Sequence, residues 1–219
     1  MVHTKSIPLP PANRREVLRY AGAREETPEL TFLLEEAMKE ASPVLTGKVC
    51  WQVFPIGREE DILDLGFARI RSDSLNRNLT GCDRIILFGA TVGFGIDRLI
   101  ARYGRLSPAK ALMMQAIGAE RIEVLCDTFC DHIQEEYPGF HLRPRFSPGY
   151  GDFPLELQND IFRVLECAQK IGLTLNQSLL MSPSKSVTAI IGLGHCPGAD
   201  HSAGCRSCGK TDCLYRRMP

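Results

Sequence analysis

Apolar residues recur at helical spacing along some stretches of the chain and alternate with polar ones along others. Thr27 followed by Pro28 marks a helix start, with a hydroxyl cap and proline in the first turn. Leu30, Phe32, Leu33, Ala37 and Ala41 continue it as an apolar stripe. Ser107-Pro108 repeats the signal ahead of a longer stripe through Leu112, Ile117, Ile122, Leu125, Phe129 and Ile133, which Pro138-Gly139 stops. That helix would be a spine for the fold, with Gly118 its candidate break or kink. A shorter helix runs from a cap at Asn13 to Tyr20, behind an extended arm carrying Pro8, Pro10 and Pro11. Pro154 opens one more helix through Ile161, Leu165 and Ala168, and Gly172 stands where a C-cap belongs.

Strand patterns fall between these helices. Val49, Trp51 and Val53 alternate with Cys50 and Gln52. Leu63, Leu65 and Phe67 form a weaker alternation. The short apolar run from Arg84 to Phe88, bounded by Asp83 and Gly89, predicts a buried strand. Leu179-Leu-Met, then Ser-Pro-Ser-Lys, then Ser186 to Gly194 reads as strand, turn, strand. Strands and helices do not alternate regularly. The expectation is α+β with a mixed or antiparallel sheet, not a doubly wound fold. Gly89-Ala-Thr-Val-Gly93-Phe-Gly95 lies between a strand and a helix but fits neither GxGxxG nor GxxxxGK[ST]. It is read as a turn that lets backbones pack closely rather than as a phosphate cradle.

Composition narrows the function classes. With 219 residues, the chain has room for one large domain, or for a domain with a small appendage. Twenty-six basic residues balance twenty-six acidic ones, so no electrostatic footprint points to nucleic acid. No apolar run approaches the ~20 residues that span a bilayer, and residues 1–8 lack the apolar stretch of a signal peptide. The chain is therefore read as cytoplasmic. In a reducing compartment, its nine cysteines are not expected to pair. Cys50, Cys82, Cys126, Cys130 and Cys167 lie among apolar neighbours and read as small buried hydrophobes.

One stretch of about fifty residues carries a family pattern. It contains Arg145-Phe-Ser-Pro-Gly-Tyr150, an amphipathic segment, Ile171-Gly-Leu-Thr-Leu175, Met181-Ser-Pro183 and Ser186-Val187. In this order the segments resemble the activation domain of cobalamin-dependent methionine synthase, in a free-standing form. Residues 13–137 resemble that family more loosely, through Gly89 to Gly95 and the Ala119-Glu-Arg-Ile-Glu123 segment. The resemblance implies a curved sheet with flanking helices. It also implies S-adenosylmethionine binding, in the service of reductive remethylation of cobalamin. The chain would be an accessory to a methyltransferase, with little activity without its partner. Arg145 then matches the family arginine, and a guanidinium can grip a carboxylate through two parallel hydrogen bonds. Arg143 competes for that role. Gly149 would let ligand approach the backbone, and Tyr150 would hold the loop or border the adenosine. Glu123 is the candidate carboxylate near the sulfonium or amino group, with Asp127 one turn further on. The Asp-x-His-x-x-Gly pattern of cobalamin ligation is missing, Asp131-His132 coming nearest. Cobalamin is thus expected on a partner, a methionine synthase or another corrinoid protein. A flavodoxin- or ferredoxin-like protein would supply the electron.

The end of the chain departs from the family. Residues 1–194 are read as the activation-like domain, and residues 195–219 as a cysteine-rich tail. Where the family places a tyrosine near the adenosine, this chain has His201. Cys196, Cys205, Cys208 and Cys213 give C-x8-C-x2-C-x4-C, a set of four thiolates that suits zinc or an iron–sulfur cluster equally. A redox dithiol at Cys205 and Cys208 and plain free thiols are the other readings. The rival function is accordingly a metal-binding electron-transfer or adaptor protein that keeps the fold without the ligand.

Overall fold

A computed structural model describes residues 1–23 and 25–196. The elements in chain order are β1 (His3–Ser6), α1 (Arg14–Tyr20), α2 (Pro28–Ala41), β2 (Lys48–Pro55), β3 (Gly57–Glu59), β4 (Ile62–Asp64), β5 (Arg69–Ile70), α3 (Asp73–Asn78) and β6 (Cys82–Thr91). There follow α4 (Phe94–Leu106), α5 (Pro108–Glu136), β7 (His141–Leu142), α6 (Gln158–Val164), α7 (Cys167–Ile171), β8 (Thr174–Leu175), β9 (Met181–Ser182) and β10 (Ser186–Gly194). The main sheet runs β1-β2-β6-β10-β7, and all its pairings are antiparallel. The fold is α+β, as the irregular alternation of elements predicts.

The central strand explains its own sequence. Ile86, Phe88 and Ala90 of β6 face one core, with Trp51, Ala189, Ile191 and the α5 residues Leu125, Phe129 and Ile133. Ile85 and Leu87 face the other, with Leu75, Phe153, Ile161 and Leu165. A strand covered on both faces has no polar side to alternate with. Phe129 packs on both Phe88 and Trp51, with ring centroids 5.0 and 5.3 Å apart.

Helix α5 is the spine, and it runs unbroken past Gly118. The stem of Lys185 lies across that glycine, 2.8 Å from where a Cβ would stand. Gly118 is a groove rather than a hinge. The segment after Pro154 is less regular than its periodicity predicts. It opens as a 3-10 turn, and Glu166, in the left-handed region, separates α6 from α7. Gly172 does cap α7 in that same conformation. Met181 pairs back with Leu175 rather than forming a hairpin with β10. Leu63 lies in β4, but Leu65 and Phe67 fall outside the strands.

Gly89 belongs to β6, and α4 begins at Phe94. The amides of the intervening turn are taken: Val92 N–H donates to the Lys185 carbonyl at 3.1 Å, and Gly93 N–H to Thr91 Oγ1 at 3.1 Å. A Cβ at Gly95 would drive into the Val44 carbonyl oxygen. Gly95→Ala is therefore expected to cost about 1–3 kcal/mol, the usual range for overpacking. Urea unfolding checks it, and an unchanged midpoint would show that the two backbones separate freely.

Candidate functional site

Helix α5 presents Glu123 and Asp127 one turn apart on one face. Beyond β7 the chain continues along the edge of β10. There Phe146 and Ile190 exchange two main-chain hydrogen bonds, each 2.9 Å. This sets Arg145 opposite α5. Its Nη2 donates to Glu123 Oε2 at 2.8 Å and its Nη1 to Asp127 Oδ1 at 2.6 Å. The arginine side chain is 21% exposed, Glu123 35% and Asp127 53%, so the cluster opens towards solvent on the Asp127 side. Cys126 and Cys130 lie beside it on the helix. Burial pushes both thiols up, against the opposing pull of Arg145. They are neutral neighbours at physiological pH.

Arg143 has a different task. It is buried, and donates from Nη1 to the Cys196 carbonyl at 3.1 Å and from Nη2 to the Thr80 carbonyl at 2.9 Å. The geometry thus separates the two arginines, one clamping main chain and the other facing two carboxylates.

After Arg145 the chain makes a tight loop. Gly149 has φ of +92°, and its N–H donates to the Phe153 carbonyl at 2.8 Å. Phe153 returns a bond to the Tyr150 carbonyl at 3.0 Å. Tyr150 is exposed and meets Phe146 edge-on, 6.1 Å between centroids. Between this loop and α3 lies a cavity of about 530 Å³, walled by Ser74, Arg77 and Asn78 on one side and Phe146, Tyr150 and Gly151 on the other. That volume is in the range of small-molecule sites. The structure therefore sets an acidic cluster, an aromatic pair and a cavity around one short segment, residues 144–151.

The sequence profile of the family described as vitamin B12 dependent methionine synthase, activation domain, matches residues 69–197. The chain belongs to this family. A crystal structure of the MetH reactivation domain bound to AdoHcy has the same fold, with a TM-score of 0.65 over 92% of this chain and 80% of that one, at 16% identity. No protein of curated function matches the chain.

Arg145 lies beside the β10 edge and meets Glu123 and Asp127 of α5, and Gly149 and Tyr150 follow it in the loop. Ser74, Arg77 and Asn78 carry no functional signal in the sequence. They reach the site from a short helix some 70 residues upstream, and nothing in the local pattern of a polar six-residue helix announces that. Of the tail cysteines, Cys196 is exposed and forms no disulfide among the described residues, while Cys205, Cys208 and Cys213 lie outside them, as does His201. Among the described residues, no group of three His, Cys, Asp or Glu side chains could hold a metal ion. No helix among them is long and apolar enough to cross a membrane.

Proposed function

We propose that this chain binds S-adenosylmethionine along the β10 edge and serves in reductive reactivation of cobalamin carried by a partner, a methionine synthase or another corrinoid protein. The observation that carries the reading is the Arg145 cluster beside the cavity, in a chain of the activation-domain family. S-adenosylmethionine is a cation at sulfur, a zwitterion at its amino-acid end and an aromatic base at the other. Asp127 and Glu123 suit the ammonium and the sulfonium. A guanidinium has five N–H donors; Glu123 and Asp127 engage one nitrogen each and the Cys130 thiol is a further neighbour, which still leaves donors for the ligand carboxylate. Phe146 and Tyr150 offer ring surface to the adenine.

The reaction moves a methyl group from sulfur to the partner's cobalt. The partner's cobalt, once reduced by one electron from a flavodoxin- or ferredoxin-like donor, would be the acceptor of the methyl cation equivalent, and S-adenosylhomocysteine would be the product released. This chain's share is to hold the sulfonium at a solvent-facing edge where a second protein can reach it. The segment 195–219 is a separate appendage in this reading, its four cysteines a site for zinc or an iron–sulfur cluster.

Calorimetric titration of anaerobically purified protein with S-adenosylmethionine tests the proposal. One site, competed by S-adenosylhomocysteine, is expected. A folded protein that binds neither would defeat the reading and move the case to the cysteine tail.

A further inference from the structure

We propose that Asp152 is a positioning residue that clasps the loop of residues 145–151 to α3 and so builds the cavity between them. The inference rests on the S-adenosylmethionine reading for its ligand, and on hydrogen bonds alone for its geometry. Asp152 Oδ1 accepts from the Ser72 hydroxyl at 2.7 Å and from Ser74 N–H at 3.0 Å, and Oδ2 accepts from Asp73 N–H at 2.7 Å. All three donors come from the first turn of α3 and the residue before it. Hydrogen bonds to a carboxylate are the stronger kind. The Ser72 hydroxyl first, then the α3 amides, hold the Asp152 carboxyl well below the usual carboxylate range, so it stays ionised throughout the physiological range.

The Ser72 hydroxyl oxygen accepts from Leu75 N–H at 3.1 Å, and Asp152 takes the Asp73 and Ser74 amides that this local cap leaves over. Asp152 is an additional tie, thrown across from a segment nearly 80 residues later. Its neighbours show what it holds. A Cβ on Gly151 would stand 2.5 Å from Ser74 Oγ, so loop and helix are in contact at that point. Phe153 is buried in the second core, which anchors the far side of the clasp. Gly149 and Tyr150 hang between Arg145 and these two anchors. The cavity walls belong to the two pieces that Asp152 joins: Ser74, Arg77 and Asn78 on α3, Phe146 and Tyr150 on the loop. A loop already held in its binding shape loses less freedom when ligand arrives.

The test uses Asp152→Ala and Asp152→Asn in the full chain. Three readings are taken: S-adenosylmethionine affinity, thermal midpoint, and hydrogen exchange at the Gly149 and Phe153 amides. Asp152→Ala is expected to raise Kd about tenfold, the worth of one charge-assisted hydrogen bond. Asp152→Asn keeps one acceptor oxygen and should recover part of that loss. Exchange at the two amides should quicken in both, with the midpoint moving by less than about 4 °C, the shift that 1 kcal/mol gives a small domain. Affinity within twofold of the native protein in Asp152→Ala would overturn the clasp. Should Asp152→Ala not fold, Asp152→Asn decides by the same readings, and native affinity with native exchange overturns the proposal. If the native protein binds no S-adenosylmethionine, the functional reading fails by itself. Exchange then judges the clasp: faster in the variants supports it, unchanged refutes it.

Discussion

Arg145→Ala is expected to raise the Kd for S-adenosylmethionine at least ~100-fold and to lower stability by about 1–3 kcal/mol. Both effects come from one change. Glu123 and Asp127 stand four residues apart on α5, and like charges at that spacing repel. The guanidinium between them supplies two charge-assisted hydrogen bonds. Without it, two carboxylates face each other, and the loop from Arg145 to Tyr150 loses its hold on the helix. Partial exposure of the carboxylates keeps the stability cost near the lower end of the range. Arg145→Lys is the informative companion. A compact ammonium cannot reach both carboxylates with a planar fork, so binding should stay weak although the charge is kept. Calorimetry and thermal unfolding read the two effects separately. Retention of near-native affinity by the alanine variant would remove Arg145 from the site.

The larger effect on stability is expected from Arg121→Met, about 3–5 kcal/mol, because it strands a buried carboxylate. Arg121 and Glu120 are 3% and 2% exposed and form an ion pair, although they are sequence neighbours on one helix. The pair also holds the N-terminal arm. Arg121 donates to the Pro10 and Pro11 carbonyls, and Glu120 Oε1 accepts from Asn13 N–H at 3.1 Å. Losing the guanidinium leaves Glu120 buried and charged, with only the Asn13 amide of these contacts. Replacing both residues, as Glu120→Leu with Arg121→Met, should recover part of the loss, since an apolar pair needs no compensation. Urea unfolding of the single and double variants closes the cycle. A single variant within 1 kcal/mol of the native protein would mean that water reaches Glu120.

That ion pair shows where the sequence stops being informative. Ala119-Glu-Arg-Ile-Glu123 reads as an ordinary stretch of helix with a solvated face. Yet α5 is surrounded by α1, α2, α4 and the sheet, and at Glu120 no face is left for water. The ends of the same helix were legible because Ser107-Pro108 and Pro138-Gly139 act locally. The break at Glu166 was not, since a glutamate in the left-handed region carries no local signal. The site divides in the same way. Motif register picks out Arg145, Gly149 and Tyr150, and helical spacing brings Asp127 to Glu123. Register already prefers Arg145 to Arg143, and the structure adds what Arg143 does instead, which is to hold the carbonyls of Thr80 and Cys196. The α3 wall of the cavity depends on long-range topology alone.

The two sides of β10 are bonded very unequally. β6 accompanies it from Ser186 to Gly194. On the other side, Leu193 and Gly194 meet β7, Arg143 N–H reaches the Gly192 carbonyl, and Phe146 pairs with Ile190. The candidate loop therefore hangs from the sheet itself by a handful of main-chain bonds, and its other holds are side chains: Arg145 on α5, Asp152 on α3, and Phe146 packed against the second core. Regions joined so sparsely open at a small fraction of the global unfolding free energy. Under the proposed function, entry and exit of S-adenosylmethionine at this edge would follow the lifting of the loop, at a rate set by those main-chain bonds, the Arg145 ion pairs and the Asp152 tie.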